Sequence, residues 1–201
     1  MTRAAIPPES GHKISRDAMR ERIVDAAKSL FEEKGADGIS MRAIASRVGI
    51  PTMTLYGYFA SKTAIIRGLW SFAFAPVFAE MRHAEEAIAD PAERLTRVAH
   101  IYVDYWICHP DRYRMVFMIE DRREGGDPSW FIDETEVSES YLRLGPMIAA
   151  ARGTPDADCR ADAEALICAL TGIAHMAITV SEYPWARPGD YVDRILAAFV
   201  R

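Results

Sequence analysis

The chain has 201 residues, half of them hydrophobic, about a quarter charged and a tenth aromatic, a length that suits one or two domains with a substantial core. Ordinary Gly and Pro contents exclude collagen-like and low-complexity proteins. The three scattered cysteines exclude a disulfide framework and a CxxC metal site. No uninterrupted apolar run approaches about 18 residues, and the N-terminus lacks the apolar core of a secretory signal, so we expect a cytoplasmic protein without a transmembrane helix.

The charge of the chain is divided unevenly. Its net value is −5, but residues 1–70 carry +4 and residues 71–201 carry −9. No acidic residue occurs between Asp37 and Glu80. The basic residues of that stretch are Arg42, Arg47, Lys62 and Arg67. Unless it is an accident of composition, this stretch predicts a surface that approaches a polyanion, with the acidic remainder of the chain kept away from it.

Apolar residues in the N-terminal third recur at spacings of three and four, which predicts helices, and Ser and Gly residues mark where these helices begin and end. Residues 1–14 lack such periodicity and are predicted to form a mobile tail. The elements predicted after the tail are a helix from Ser15 to Gly35, a short helix from Ser40 to Gly49, a short segment from Thr52 to Phe59, and a longer helix that Ser61 caps and that is interrupted near Pro76.

The same helical pattern continues to the end of the chain. Asp90-Pro91 predicts a helix start, with an N-cap followed by Pro at the first helical position, and this helix ends at His109-Pro110. The acidic segment 121–129 is predicted to be a loop. The remaining predicted helices cover residues 111–121, 130–151, 158–182 and 189–201. Because no segment alternates with a period of two for long, we predict an all-α fold of about nine to ten helices.

Two short helices joined by a tight glycine turn lie within the acid-free stretch, and this arrangement predicts a helix-turn-helix over about residues 40–59. The first helix would brace the second, whose outer residues enter the DNA major groove. Apolar positions between Ile39 and Phe59 are predicted to hold the unit against the first long helix. The residues predicted to lie nearer the outside are Arg42, Thr52, Met53, Thr54, Tyr56, Gly57 and Tyr58.

Residues 20–66, RERIVDAAKSLFEEKGADGISMRAIASRVGIPTMTLYGYFASKTAII, resemble the DNA-binding domain of the TetR family of bacterial one-component repressors. The resemblance rests on the opening I-x-x-A-A-x-x-L-F-x-x-x-G, the turn I-A-x-x-V-G-I and the ending L-Y-x-Y-F-x-x-K. It implies a DNA-binding domain at residues 15–62, followed at residues 63–201 by a helical domain for ligand binding and dimerisation. The segment HPDRYRMVF (109–117) is similar to part of the ligand domain in one TetR branch.

The resemblance also implies a recognition helix at about residues 52–58. The methyl groups of Met53 and Thr54 would face thymine, and the Tyr56 hydroxyl would contact a phosphate. Lys62 would add its charge to the free N–H groups at the start of the next helix, which together form a phosphate clamp. The DNA-binding residues that the resemblance implies are Ser40, Arg42, Thr52, Met53, Thr54, Tyr56, Gly57 and Lys62.

Two positions depart from the family pattern. Pro51 stands where the family often has a capping Ser or Thr, and Gly57 replaces a large polar residue, which costs about 1 kcal/mol of helix stability. For two neighbouring residues a structural role is predicted instead of DNA contact. Tyr58 is predicted to pack, and Arg47 is predicted to be an ordinary solvated helix charge.

No motif of a nucleotide-binding, hydrolase or zinc-protease site occurs in the chain, so we predict that it is not an enzyme and that it uses no cofactor or metal. A zinc or copper site from His100, Cys108 and His109 is the nearest alternative, but two helical turns separate the first two, which favours core or boundary positions. The other functions considered are an architectural DNA-binding protein without an effector and a small helical enzyme.

The helix predicted at residues 158–182 is apolar on two sides, a bulky side through Leu166 and Leu170 and a side of small residues. A helix buried on both faces lies between its own core and a second surface. The resemblance implies that this surface is the same helix of a second subunit, together with the terminal helix; the alternative is a central helix in a monomer. The predicted interface residues are Ala165, Ala169, Gly172, Met176, Ile195 and Phe199.

Large aromatic and sulfur-containing side chains on the intervening helices predict either an ordinary core or an apolar cavity with a few polar anchors. The candidate pocket residues are Phe74, Tyr102, Trp106, Met118, Trp130, Met147 and His175. The predicted function is that of a TetR-type repressor, which binds a near-palindromic double-stranded operator as a homodimer. A small, largely apolar effector would release it. We expect the protein in the cytoplasm, associated with the nucleoid when operator-bound, and without a membrane partner.

Overall fold

The computed structural model describes residues 15–118 and 141–200, and all regular secondary structure in these two ranges is helical. The predicted all-α fold is therefore confirmed. The chain divides into two compact units, Met1–Ile65 and Ile66–Arg201, so the observed boundary lies three residues beyond the predicted one. The predicted tail (1–14) and loop (121–129) lie outside the described residues.

The first unit consists of α1 (Arg16–Lys34), a 3₁₀ turn (Ala36–Gly38), α2 (Met41–Val48) and α3 (Thr52–Tyr56). The Ser15 hydroxyl accepts a hydrogen bond from the Ala18 amide at 3.1 Å, which caps the start of α1. Both α1 and α2 are followed by a glycine with positive φ, Gly35 at 68° and Gly49 at 79°, a conformation that other residues rarely adopt. The apolar stripe of α1 packs on α2 and includes Ile23, Ala27 and Leu30, which are all buried.

The helix that follows is interrupted earlier than predicted. Helix α4 (Lys62–Arg67) ends before Gly68, and α5 (Trp70–Ala87) then continues through Pro76. The Leu69 amide bonds the Ile66 carbonyl at 2.8 Å, a tight 3₁₀-type turn. The prediction of a break near Pro76 was wrong. The helix is interrupted at Gly68 instead, since glycine is a poor helix former. Helix α5 continues through Pro76, where side chains of other helices contact it.

The second unit begins within α4. It then contains α5, α6 (Pro91–Cys108), α7 (Pro110–Phe117), α8 (Leu144–Ala151), α9 (Arg160–Thr179) and α10 (Pro188–Phe199). Helix α6 is central and packs against the other five. Its start is capped as predicted, because Asp90 accepts a hydrogen bond from the Glu93 amide at 2.8 Å. Helix α9 is shorter than the predicted 158–182, and Arg143 lies in a turn just before α8, so the predicted helix 130–151 is not continuous.

Aromatic rings fill the centre of the second unit. Trp106 is completely buried, and the rings of Phe74, Tyr105 and Phe117 meet its indole edge to face, with centroids 5.0–5.1 Å away. This is the geometry that aromatic pairs prefer. The described part of this region is therefore a packed aromatic core.

The turn of α5 that contains Pro76 is bonded to α6 and α7. Proline has no amide hydrogen and breaks one helical hydrogen bond. The Tyr105 hydroxyl donates to the Ala73 carbonyl in the preceding turn, and Arg112 donates to that hydroxyl at 2.7 Å. The Arg112 guanidinium also lies 4.7 Å from the centre of the Phe72 ring. These contacts connect the turn before Pro76 to α6 and α7.

Burial of Tyr113 raises the pKa of its hydroxyl to about 12, with a smaller contribution from nearby Tyr102. A tyrosine whose pKa is higher in the folded state stabilises that state fully below its ordinary pKa, and this stability is lost as the pH rises through the folded value. We therefore expect the contribution of Tyr113 to the free energy of unfolding to be constant below about pH 10 and to fall between about pH 10 and 12. Urea titrations at about pH 9 and pH 11 measure this fall.

The Tyr113→Phe variant is the matched control for that titration, since Phe keeps the ring and cannot ionise. Its free energy of unfolding should fall less than that of the wild type between the two pH values. Tyr102 and Tyr105, whose pKa values burial also raises, still contribute in this variant. An equal fall in both proteins would show that Tyr113 does not carry the effect.

Among the described residues, two segments are long and apolar enough to span a membrane, by length and composition only. They are 62–87, which comprises α4 and α5, and 160–179. Half of the first apolar window is buried inside the protein, as in a core helix, whereas only 22% of the second is buried. The second helix, α9, therefore presents an apolar surface that the described residues leave largely uncovered.

Candidate nucleic-acid interface

Helix α3 exposes three side chains to solvent and packs against the first unit through one buried side chain. Leu55 is fully buried, whereas Met53 is 80% exposed and Tyr56 is 47% exposed. Thr54 is also exposed, and Thr52 is half-buried. An amphipathic helix with one buried anchor leaves its outer residues available to another molecule. The outer surface of α3, from Thr52 to Tyr56, is called the recognition face below.

Polar residues flank the recognition face on α2 and α4. The Ser40 hydroxyl caps α2 by accepting a hydrogen bond from the Ala43 amide at 3.1 Å, and Arg42 beside it is exposed. The Ser61 hydroxyl accepts from the Ala64 amide at 3.2 Å, so Ser61 caps α4 as predicted. Lys62, the first residue of α4, is exposed, and its charge opposes the dipole at that helix end unless an anion lies nearby.

Arg47 does not add to this basic surface. Its guanidinium donates two hydrogen bonds to the Glu33 carboxylate, at 2.7 and 2.6 Å. The hydrogen bond to Glu33 raises the pKa of Arg47, and the same bond lowers the pKa of Glu33. In such a planar pair, the two N–H groups that could bind a phosphate are already bonded to the carboxylate. Arg47 is thus a surface charge, as predicted, but an ion-paired one.

Sequence reasoning missed two arginines that contact the end of α3. Arg16 Nη2 donates to the Gly57 carbonyl at 2.9 Å, and Arg20 Nη1 donates to the Tyr58 carbonyl. Tyr58 is half-buried, and the Arg16 guanidinium lies 5.8 Å from its ring centre. The only signal in the sequence is the spacing of four between two arginines, which places them on one side of α1.

The candidate pocket residues of the second unit are only partly brought together. Phe74, Tyr102 and Trp106 lie in the aromatic core and Met147 is buried, but Met118 is 51% exposed and His175 is also exposed. Trp130 lies outside the described residues. The pocket therefore stays a prediction, and the described members of the set make a core more than a cavity wall.

Polar groups in two hydrogen-bonded pairs lie next to this core. The Tyr102 hydroxyl lies 2.9 Å from Thr171 Oγ1, and the Tyr113 hydroxyl lies 3.1 Å from His175 Nδ1. Burial raises the pKa of Tyr102, so its hydroxyl stays neutral at physiological pH. Within the two described ranges no charged side chain is fully buried. The tyrosine and threonine hydroxyls can therefore offer hydrogen bonds without charge to a ligand.

The exposed side of α9 carries the small residues predicted for a subunit contact. Ala165, Gly172 and Met176 are exposed, while Leu166 and Leu170 on the opposite side are buried. Ala169 on α9 is half-buried, as are Ile195 and Phe199 on α10. Beside this side runs an apolar groove of about 240 Å³. The groove is lined by Gly172, Ile173, Met176, Ala177, Trp185, Pro188 and Tyr191.

No group of three potential metal ligands occurs among residues 15–118 and 141–200. Of the histidine and cysteine residues considered from the sequence, His100 instead lies 2.8 Å from the Asp193 carboxylate, through Nε2, and connects α6 to α10. Cys108 is exposed.

Comparison with known proteins gives a match to the family model "Bacterial regulatory proteins, tetR family" over residues 23–69. The repressor KstR of Mycolicibacterium smegmatis is 33% identical over 97 residues, 47% of each chain. The activator FasR of the same species is 25% identical over 107 residues, 53% of this chain and 49% of FasR. The chain thus spans about half the length of these curated relatives.

The solved structures extend the likeness to the second unit. Thermus thermophilus FadR, a TetR family transcriptional repressor in complex with lauroyl-CoA, matches with a TM-score of 0.61 over 90% of this chain and 93% of its own, at 19% identity. At that identity the likeness establishes the fold alone. The predicted resemblance is confirmed. Residues 23–69 of this chain are therefore similar to the DNA-binding segment of the tetR family of bacterial regulatory proteins.

Proposed function

We propose that this protein is a transcriptional regulator that binds double-stranded DNA through the recognition face and leaves it when a small effector binds the second unit. The observation that carries the proposal is the recognition face itself. It presents Met53, Thr54 and Tyr56 from a helix held by one buried leucine, inside the segment that matches the tetR family. No acidic residue lies between Asp37 and the end of the first unit at Ile65.

The roles of the side chains follow from their exposure. Met53 and Thr54 offer methyl groups that suit thymine in the major groove, and Thr54 also offers a hydroxyl. Tyr56, Lys62 and Arg42 are exposed around them and suit phosphate oxygens. Ser40 and Gly57 act through the backbone of this region, since the first caps α2 and the second ends α3. Thr52 is half-buried, so its share in base contact is the smallest.

A second copy of the chain completes the DNA-binding form in this proposal. The exposed small residues of α9 and the apolar groove beside it form a surface that water solvates poorly. A two-fold dimer through α9 and α10 would cover it and would place two recognition faces on one duplex. The expected operator is a near-palindrome with half-sites about one helical turn apart, or at a similar fixed spacing.

The effector in this proposal is small and largely apolar. The second unit supplies aromatic rings and neutral hydrogen-bonding groups and, in its described part, no buried charge. T. thermophilus FadR, a structural neighbour, is described in complex with lauroyl-CoA. The effector acts because it binds more tightly to the form that cannot engage DNA than to the form that can. Relatives include both a repressor and an activator; repression is the mode proposed here.

Lys62→Ala is the test of DNA docking. Because a phosphate contact releases counterions, its loss should weaken binding to all duplexes alike and lower the slope of log affinity against log salt by about one. Thr54→Ala should instead change the preference among sequences, by about 1–3 kcal/mol if a good base contact is lost. Duplexes selected by the wild-type protein from a random pool, titrated at several salt concentrations, measure both effects.

Lys34→Ala is the matched control for charge, since Lys34 is an exposed lysine in the last turn of α1. It should leave both the affinity and the salt slope close to wild type. Unchanged salt dependence in Lys62→Ala would reject the proposed docking, and a wild-type protein that selects no duplex would reject the function as a whole. Thermal unfolding with added metabolites tests the effector, because a ligand stabilises the state that it binds.

A further inference from the structure

We propose that Arg16 and Arg20 are positioning residues, which hold the recognition helix from its C-terminal end and so set the direction of the recognition face. The proposal rests on the DNA-binding function proposed above. The two arginines belong to α1 and lie 41 and 38 positions before the carbonyls that they bond. They act on DNA recognition through α3.

The recognition helix has little stability of its own. It is five residues long, and its N-cap is Pro51, which makes no side-chain capping bond. Helices this short are unstable alone in water, because the first turn costs more conformational entropy than its hydrogen bonds return. Glycine follows α3 at position 57 and adds flexibility at its end. The direction of α3 therefore depends on contacts with the rest of the first unit.

The contacts from α1 bind the turn that directly follows α3. The amides of Gly57, Tyr58 and Phe59 in this turn bond the Thr54 and Leu55 carbonyls of the helix, and the negative end of the helix dipole lies here. Arg16 donates to the Gly57 carbonyl at 2.9 Å, and Arg20 donates to the Tyr58 carbonyl. Two guanidinium groups thus connect α1 to the turn at the C-terminal end of α3.

Stacking fixes the orientation of the guanidinium groups. The Arg20 guanidinium lies 4.2 Å from the centre of the Phe59 ring, and Phe59 is buried. A planar guanidinium can stack on a ring and donate at its edge simultaneously, whereas a lysine ammonium cannot. Arg20 therefore connects α1 to both the backbone after α3 and a buried anchor of the first unit. The Nη1 donor of Arg20 is used inside the protein.

The double variant Arg16→Ala/Arg20→Ala tests the proposal, with the operator duplex selected by the wild-type protein and a scrambled duplex of equal length as probes. Loss of two charge-assisted hydrogen bonds at an exposed site should weaken operator binding about tenfold. Affinity for the scrambled duplex and the salt slope should both stay near wild type, because no phosphate contact is removed. Arg22→Ala, an exposed arginine of the same helix outside this contact, should match the wild type.

Arg20→Lys separates charge from geometry. It keeps the charge and loses the stacked planar donor, so its operator affinity should be close to that of Arg20→Ala. Amide hydrogen exchange of the DNA-free protein gives an independent measurement, which does not require that DNA binding survive. In the double variant the amides of α3 and of residues 57–59 should exchange at least several times faster, while those of α2 keep wild-type rates.

Two outcomes would overturn the inference. A salt slope lower by about two, with operator and scrambled duplex weakened alike, would show that both arginines bind phosphates. Operator affinity and α3 exchange equal to those of Arg22→Ala would show that the contacts position nothing. Either result leaves the proposed function standing, provided that the wild type binds its selected duplex. Absence of any wild-type DNA binding would reject the function itself.

Discussion

Gly172→Arg is expected to convert the proposed dimer into monomers and to weaken operator binding at least about a hundredfold, because a dimer that holds two half-sites gains that much from linked binding. Gly172 lies on the exposed side of α9, and a Cβ atom added there meets no atom within 4 Å. The start of a longer side chain therefore has room in the isolated chain. In a closed contact between two copies it would be an unpaired charge, at a cost of several kcal/mol.

The same substitution should not destabilise the folded chain. Arginine is a better helix former than glycine by about 1 kcal/mol in a helix interior, so the thermal midpoint of the monomer should hold or rise. Gly172→Ala is the matched control, since it adds one methyl group and no charge and should stay dimeric. Sedimentation velocity at micromolar concentration gives the assembly state. A monomeric wild type, or a Gly172→Arg protein that remains dimeric, would contradict the proposed subunit contact.

Trp106→Ala is expected to lower the free energy of unfolding by about 3–5 kcal/mol, the usual cost of replacing a fully buried large aromatic by alanine. Trp106 has no exposed surface and contacts rings from α5, α6 and α7. Natural domains are stable by only about 5–15 kcal/mol, so the second unit of this variant should be close to unfolding. Urea titration followed by circular dichroism measures the change.

Met118→Ala is the contrasting variant for the predicted pocket. Met118 is 51% exposed, so its truncation should change the free energy of unfolding by less than about 0.5 kcal/mol. It can therefore report on effector response in a folded protein, which Trp106→Ala cannot. A Trp106→Ala protein as stable as the wild type would favour a cavity wall at this position, the second of the two alternatives that the sequence left open.

The sequence by itself determined the helices of the first unit and the resemblance of residues 23–69 to the tetR family. Ser15, Ser40 and Ser61 each cap the next helix by a hydrogen bond to an amide three residues on, and Gly49 adopts the positive φ that ends α2. Caps, glycine turns and apolar spacing act within about one helical turn. They are therefore visible without knowledge of the fold. The two-sided character of α9 was visible for the same reason.

Only the tertiary structure decided which exposed charged side chains are already bonded within the protein and which apolar residues belong to the core. Arg47 pairs with Glu33 across two helices, and Arg16 and Arg20 reach carbonyls 41 and 38 positions away. Trp106 and Met118 are alike as apolar residues at helical spacing, yet one is buried and the other is half exposed. Spacing along one helix cannot decide such matters, because they depend on which distant helix packs against it, and that follows from the free energy of the whole core.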